Sequence, residues 1–302
     1  MSARVLSGTE MANEIRAEVA VGVAEMRDKH GIVPGLAVVM VGDDPASKVY
    51  VRNKDRAAIE AGMVSESIPL QASTTQDEVL SVVRRLNCDA RIHGILAQLP
   101  LPDHIDEDTV IESVNPDKDV DGLHPFNMGL LVAGQPRFVS VTPAGIQQIL
   151  LRSGFDPEGK HVVVVGRSNI VGKPVSNLLM QRRPGSNATV TVCHTRTRNM
   201  AEITRQADIL ISAIGRPRFI TADMVKDGAV VIDVGINQID APERKRGYRL
   251  VGDVDYDAVS QKAEAITPVP GGIGPMTIAM LMHNTLKAAR YFVHPHLREL
   301  GD

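Results

Sequence analysis

Tryptophan is absent from this chain, and its 302 residues include only four tyrosines and five phenylalanines. Nucleobases would find few aromatic platforms to stack on. The formal charge of −3 supplies no basic field, and no Lys/Arg run is interleaved with aromatics. Nucleic acid is therefore not expected as a partner. Cysteine is nearly missing too. Cys88 and Cys193 each lie in or beside an apolar pattern, with no CxxC or Cys/His ligand spacing. Two buried, reduced thiols are expected, which suits a reducing compartment. No segment approaches the roughly 20 apolar residues that cross a bilayer. The opening stretch "MSARVLSGTEMANEIRAEVA" has no long apolar core and carries Glu10 and Glu14, unlike a secretory or transit peptide. A cytoplasmic protein with no membrane partner is the expectation. The nine histidines are read as showing neither an HxH nor an HExxH arrangement, and no metal site is expected.

What is present is an α/β pattern. Short apolar runs alternate with helical patterns almost throughout, which predicts largely parallel sheets and, at this length, two domains. "GLAVVMV" (35–41) and "IHGILAQL" (92–99) read as buried strands. Between them run a helix through Tyr50 and Lys54, ending near Gly62, and a second helix across "DEVLSVVRRL" (77–86). "NPDKDVDGLHP" (115–125) holds too many Asp, Pro and Gly for either element, so it is read as a loop rich in functional groups. A connecting helix over "TPAGIQQILLRSG" (142–154) leads to a second series of strands at "HVVVVG" (161–166), "ATVTVC" (188–193), "ADILISAIG" (207–215) and "AVVIDVG" (229–235). "AITPVP" (265–270) reads as a last short strand. The helix 275–292 is expected to start with Pro275 at its first position and to pack back on the first domain. "APERKRG" (241–247) reads as a solvated hairpin turn.

The strand "HVVVVG" runs directly into "RSNIVGKPVSNLL", the strand–turn–helix that opens a dinucleotide-binding unit. Gly166 and Gly172 do not match G-x-G-x-x-G, because Arg167 and Ser168 fill its middle, so the strands that follow carry the assignment. At the end of the second strand, NAD-specific folds place an acid for the ribose hydroxyl, and an arginine accommodates a 2′-phosphate. "CHTRTRN" (193–199) offers His194, Thr195, Arg196, Thr197 and Arg198 and no carboxylate, which favours NADP. "SAIGRP" (212–217) and "DVGIN" (233–237) end the next strands with small residues that leave room for a nicotinamide, and Ile236 is assigned to the cofactor.

Five stretches occur together and in order: "SKVYVRNK" (47–54), "AQLPLP" (97–102), "DKDVDGLHPFNMG" (117–129), "GRSNIVGKP" (166–174) and "PVPGGIGPMT" (268–277). Over nearly the whole chain this set resembles the bifunctional methylenetetrahydrofolate dehydrogenase/methenyltetrahydrofolate cyclohydrolases. The resemblance implies two α/β domains flanking a cleft, the second a Rossmann-like doubly wound parallel sheet. Residues 1–141 plus 275–302 would form the folate-binding catalytic domain, and 142–274 the NADP domain. It further implies a homodimer that oxidises 5,10-methylene-tetrahydrofolate with NADP and hydrolyses the 5,10-methenyl product to 10-formyl-tetrahydrofolate.

By the same resemblance Lys54 is the catalytic lysine, Tyr50 its partner, Gln98 the associated glutamine and Asp121 the pterin-binding aspartate. Residues at i and i+4 share a helix face in any helix, so the Tyr50/Lys54 spacing alone decides nothing. The chemistry makes sense of the set. Dehydrogenation of the one-carbon bridge mainly needs positioning. Hydrolysis needs protons moved between water and two nitrogens, which a lysine with a pKa lowered by desolvation can do. Asp117 and Asp119 are read as solvated or bracing the loop. Pro270, Gly271, Gly272 and Gly274 are read as walls for folate and nicotinamide, with Thr277 a helix cap. Two departures from the family pattern are small: Thr195 replaces a commoner serine, and Ile273 stands where valine is usual.

Overall fold

The computed structural model describes residues 2–244 and 247–300. In chain order the elements begin with β1 (Arg4–Val5), α1 (Gly8–His30), β2 (Gly35–Val41), α2 (Pro45–Glu60), β3 (Val64–Leu70), α3 (Gln76–Cys88) and β4 (Gly94–Ala97). Next come α4 (Glu107–Ser113), α5 (Pro125–Val132), α6 (Val141–Arg152), β5 (His161–Val165), α7 (Gly172–Leu179), β6 (Thr189–Cys193), α8 (Met200–Thr204) and β7 (Ile209–Ser212). The chain ends with β8 (Val230–Asp233), β9 (Asn237–Asp240), β10 (Tyr248–Val251), α9 (Tyr256–Val259), β11 (Ala265–Ile266), α10 (Ile273–Val293) and α11 (Leu297–Leu300). No described helix is long and apolar enough to cross a membrane.

The chain divides into two compact units. One comprises residues 13–141 and 278–302, the other residues 1–12 and 142–277. The first is built on a parallel sheet in the order β3-β2-β4. All seven residues of the central strand β2 are buried, as a strand covered on both faces requires. The edge strand β3 ("VSESIPL") is only half-buried and alternates. Its polar content hid it from the sequence reading. Helix α3 shows the local logic clearly: Thr75 and Glu78 form a reciprocal capping box, and Val79, Val83 and Leu86 make the buried stripe. Cys88 ends that helix off the stripe and is exposed, which corrects the expectation of two buried thiols, whereas Cys193 is buried.

The second unit carries a six-stranded parallel sheet in the order β1-β11-β8-β7-β5-β6. Val162, Val163, Val164 and Val165 of β5 are fully buried, and each contributes on the order of 1.5–3 kcal/mol by leaving water. The strand order reverses at β5, between β6 and β7, so the turn after β5 lies at a topological switch point, where doubly wound sheets bind ligands.

Three sequence readings need correction. Residues 1–12 belong with this second unit, because Arg4–Val5 pair with Ala265–Ile266 at the sheet edge. Two-residue strands carry no periodicity, so the pairing was invisible in the sequence. "AITPVP" pairs only over Ala265–Ile266. Helix α10 begins at Ile273, so Pro275 is its third residue and not its first. From Ile278 onward α10 does belong with residues 13–141: Asn284 Nδ2 donates to the carbonyls of Val120 (2.8 Å) and Val139 (3.1 Å). Of the stretch read as a hairpin turn (241–247), Lys245 and Arg246 lie outside the described residues; on either side of it β9 and β10 pair antiparallel, and the Ala241 amide donates to the Gly247 carbonyl (2.8 Å).

Candidate active site

Asp44 opens α2 by accepting from the Ser47 amide (2.7 Å), with Pro45 in the first turn, where its missing N–H costs nothing. Ala57 and Ala58 are buried and anchor the helix. Tyr50 and Lys54, one helical turn apart, are both half-buried. Gln98 follows β4 directly, and its amide N–H bonds the Val39 carbonyl of β2 (2.8 Å), so the sheet fixes its backbone. Its side-chain Nε2 donates to the Leu99 carbonyl (2.8 Å), which orients the amide and turns Oε1 toward the helix. Lys54 Nζ donates to that Oε1 at 2.8 Å. Helix and strand thus deliver one ammonium group and one amide to the same spot.

Burial pushes the Lys54 pKa below the ordinary lysine value, while the negative charge of Asp121 pulls the other way. Asp121 is pushed up to about 6, chiefly by burial and in part by Asp119, with Lys54 opposing. Burial also raises the Tyr50 phenol. Two oppositely charged groups whose environments drive both toward neutrality form a proton-handling arrangement.

The loop that holds Asp121 is braced from within. Asp119 is buried and accepts from the amides of Leu123 (3.1 Å) and His124 (2.9 Å) and from Asn127 Nδ2 (2.8 Å). Asp117 pairs with Arg137 and with Arg298 (2.9 Å). Both therefore brace the loop, as one of the two sequence readings had it. Asp121 differs. Its carbonyl accepts from Val141 (3.3 Å), but its carboxylate makes no side-chain hydrogen bond among the described residues. The carboxylate is left as an open acceptor. Gly122 follows at φ +70°, and a Cβ there would fall 2.6 Å from the Ser140 nitrogen. Gly122→Ala should therefore cost on the order of 2–4 kcal/mol and displace Asp121. A urea melt checks this, and an unchanged midpoint would contradict it.

Lys54, Tyr50, Gln98 and Asp121 all lie in the first unit, whereas Pro270, Gly271 and Gly272 lie in the second. Gly271 has φ +102°. Gly272 is buried, and a Cβ on it would meet the Pro268 carbonyl at 2.5 Å. Its missing side chain is thus already required by the fold. Thr277 sits inside α10 and donates to the Gly274 carbonyl (2.7 Å), so it is not a cap.

In the second unit Gly166 directly follows β5 at φ +138°, and a Cβ there would strike the Ala213 carbonyl at 2.2 Å. Gly172 is equally confined, with the Gly166 carbonyl 2.3 Å from a Cβ position. Between them Arg167 and Ser168 are exposed. Ser168 Oγ accepts from the Val171 amide (3.1 Å), which leaves its own proton free to donate. After β6, Thr195 and Arg196 are exposed on a turn closed by His194, whose N–H bonds Thr197 Oγ1 (2.9 Å) and whose Nδ1 accepts from the Arg196 amide (3.1 Å). Ile236 is exposed beyond β8. These residues fit a dinucleotide: a close-approach glycine turn at the switch point, and cations without a carboxylate at the end of β6. A cavity of about 610 Å³ in the same unit is lined by Asp233, Tyr248, Arg249, Gly252 and Pro270, beside the β9–β10 hairpin.

Sequence reasoning missed Asp233 and Asp253, both buried. A signal was present: an aspartate closing the apolar run "VVID" needs buried partners. It also missed the His-x-His pair His294/His296, whose rings lie 5.8 Å apart, with His30 5.1 Å from His294. No group of three or more His, Cys, Asp or Glu able to hold a metal occurs among the described residues.

Two family models match this chain, one over each half. Residues 6–121 match the family model described as tetrahydrofolate dehydrogenase/cyclohydrolase, catalytic domain, and residues 140–293 match the NAD(P)-binding domain of the same family. The bifunctional protein FolD of Dehalococcoides mccartyi is 57% identical over 291 residues, covering 96% of this chain and 98% of that protein. The crystal structure of the bifunctional FolD methylenetetrahydrofolate dehydrogenase/cyclohydrolase from Campylobacter jejuni is similar with a TM-score of 0.89 at 44% identity, over 96% of this chain and 99% of that one. The Trypanosoma brucei enzyme, complexed with NADP cofactor and inhibitor, has a TM-score of 0.92 at 40% identity, over 97% and 99% of the two chains. With both halves matched and identity this high over nearly its full length, the chain belongs to the tetrahydrofolate dehydrogenase/cyclohydrolase family.

Proposed function

We propose that this chain, as a cytoplasmic homodimer, oxidises 5,10-methylene-tetrahydrofolate to the 5,10-methenyl compound with NADP and hydrolyses that product to 10-formyl-tetrahydrofolate. The observation that carries this reading is the desolvated Lys54 held 2.8 Å from Gln98 in the same unit as the open carboxylate of Asp121. NADP, held by Gly166, Arg167, Ser168, Gly172, Thr195, Arg196 and Ile236, supplies the hydride acceptor.

The residues divide the remaining work. Asp121 accepts from the 2-amino group and neighbouring N–H of the pterin, a two-point contact suited to a carboxylate. Tyr50 lays its ring beside the folate. After hydride loss the one-carbon bridge is a cation, and a neutral Lys54 avoids repelling it. Lys54 then takes a proton from the attacking water and returns one to the departing nitrogen. Gln98 holds the amine in place through both changes of charge. In the second unit Pro270, Gly271 and Gly272 wall the nicotinamide side, where Gly271, at φ +102° and without a Cβ, lets its backbone approach closely.

Absorbance near the methenyl-tetrahydrofolate band, after mixing the protein with methylene-tetrahydrofolate and NADP and then NAD, tests the proposal. NADPH formation together with accelerated decay of added methenyl compound is expected. Equal turnover with NAD would remove the NADP assignment. For cofactor choice, Arg196→Ala should raise the NADP KM about tenfold or more and leave the NAD KM unchanged, because one charge-assisted phosphate contact contributes on the order of 1.5–3 kcal/mol.

A further inference from the structure

At the carboxyl ends of β7 and β8 two buried aspartates gather the backbone of three separate segments. Asp253, fully buried, accepts through Oδ2 from the amides of Ile214 (2.8 Å) and Gly215 (3.0 Å). Its Oδ1 accepts from the Arg216 amide (3.0 Å) and from Asn237 Nδ2 (2.9 Å). Three consecutive N–H groups turned toward one centre form a nest of the kind that ordinarily captures an anion. Here the chain supplies the anion itself.

Asp233 ties the knot from the other side. Its Oδ1 accepts from Gly235 (2.9 Å) and Asp253 (2.9 Å), and its Oδ2 accepts from Val254 (3.0 Å). Two glycines make room for the carboxylates. A Cβ on Gly252 would fall 1.8 Å from Asp233 Oδ2, and one on Gly235 would fall 2.2 Å from Asp253 Oδ1.

The consequence falls on Ile236. It is exposed, yet both its neighbours are fastened: Gly235 through its amide to Asp233, and Asn237 through its side chain to Asp253. The same Asp253 fixes the Ile214–Arg216 turn, and Ala213 of that segment is the backbone against which Gly166 packs. One carboxylate therefore sets the mutual placement of the turns after β5, β7 and β8.

We propose that Asp253, backed by Asp233, is a positioning residue for hydride transfer: an internal anion that holds these turns where the nicotinamide lies. The proposal rests on the NADP reading above. It separates the two activities, because the groups assigned to hydrolysis are all in the other unit and need no cofactor.

Asp253→Asn keeps the size and removes the charge, and its amide nitrogen would face N–H donors. The expected result is a fall of about tenfold or more in dehydrogenase kcat/KM for NADP, with decay of methenyl compound measured without cofactor unchanged within about twofold. Unchanged NADP kinetics would overturn the proposal. So would a parallel fall of both activities, which would mean that the carboxylate serves folding alone. If that variant does not fold, Asn237→Ala decides, since it removes one donor and leaves the three backbone donors in place. It should raise the NADP KM about threefold or more, and no change would overturn the proposal. Wild type that failed to reduce NADP at all would instead refute the functional reading on which this one stands.

Discussion

Lys54→Ala is expected to slow hydrolysis of the methenyl compound by about 10²–10⁴-fold, the usual contribution of a positioned general acid/base. That corresponds to roughly 3–5 kcal/mol of lost transition-state stabilisation. The substitution also leaves Gln98 Oε1 without its donor, although Gln98 Nε2 remains tied to Leu99. Dehydrogenation should fall less, because hydride transfer asks for placement and not for proton movement at this group. Lys54→Arg separates charge from proton transfer. A guanidinium retains the positive charge but cannot give up a proton near neutrality, so it should not restore hydrolysis. The measurement is the loss of methenyl absorbance without cofactor, corrected for spontaneous decay. A Lys54→Ala rate within about fivefold of wild type would remove Lys54 from the chemistry.

The second large effect concerns Asp121, where binding and stability should move in opposite directions. Asp121→Asn presents an NH2 where the pterin also donates, so the folate KM should rise about 100-fold, or near 3 kcal/mol. Stability follows the pKa. The carboxyl is raised from an ordinary 3.8 to about 6 in the folded chain. A raised acid binds its proton more tightly when folded. The charge therefore costs nothing below about pH 4, an increasing amount between about pH 4 and 6, and its full amount above that. The asparagine variant should accordingly be more stable than wild type at pH 7 by about 1–3 kcal/mol and indistinguishable from it near pH 4. In the wild type, kcat/KM for the folate should drop as pH falls through about 6, because a protonated Asp121 can no longer accept at two points. Urea melts at the two pH values and a pH–rate profile check both arms. A destabilised variant at pH 7 would mean that Asp121 holds the loop together in the way Asp119 does.

Much of this was readable in the chain because the signals are local. Apolar runs such as "HVVVV" declare buried parallel strands, and the tight glycines of "GRSNIVG" declare a turn at a strand end. The absence of any acid in "CHTRTRN" bears on the cofactor without reference to distant residues. What failed was equally physical. Strand β3 mixes Ser, Glu and Pro into an edge position that needs only half its faces dry, so its composition resembles a loop. Cys88 was misjudged because helix phase, not the neighbouring apolar residues, decides which side of the helix turn is covered.

The amino-acid sequence by itself determined the α/β class, the succession of elements and the residue types available for proton transfer and anion binding. These follow from backbone stereochemistry and from which short runs prefer to leave water. Only the tertiary structure decided that residues 1–12 join the second unit, that Lys54 meets Gln98 across 44 positions of sequence, and that Asp121 keeps an open carboxylate while Asp117 and Asp119 are consumed in bracing. Only it brought Asp233 and Asp253 together as buried acceptors for the turns around them. Each of these depends on what desolvates a charged group and which donors reach it, and both are properties of segments far apart in the chain that pack together.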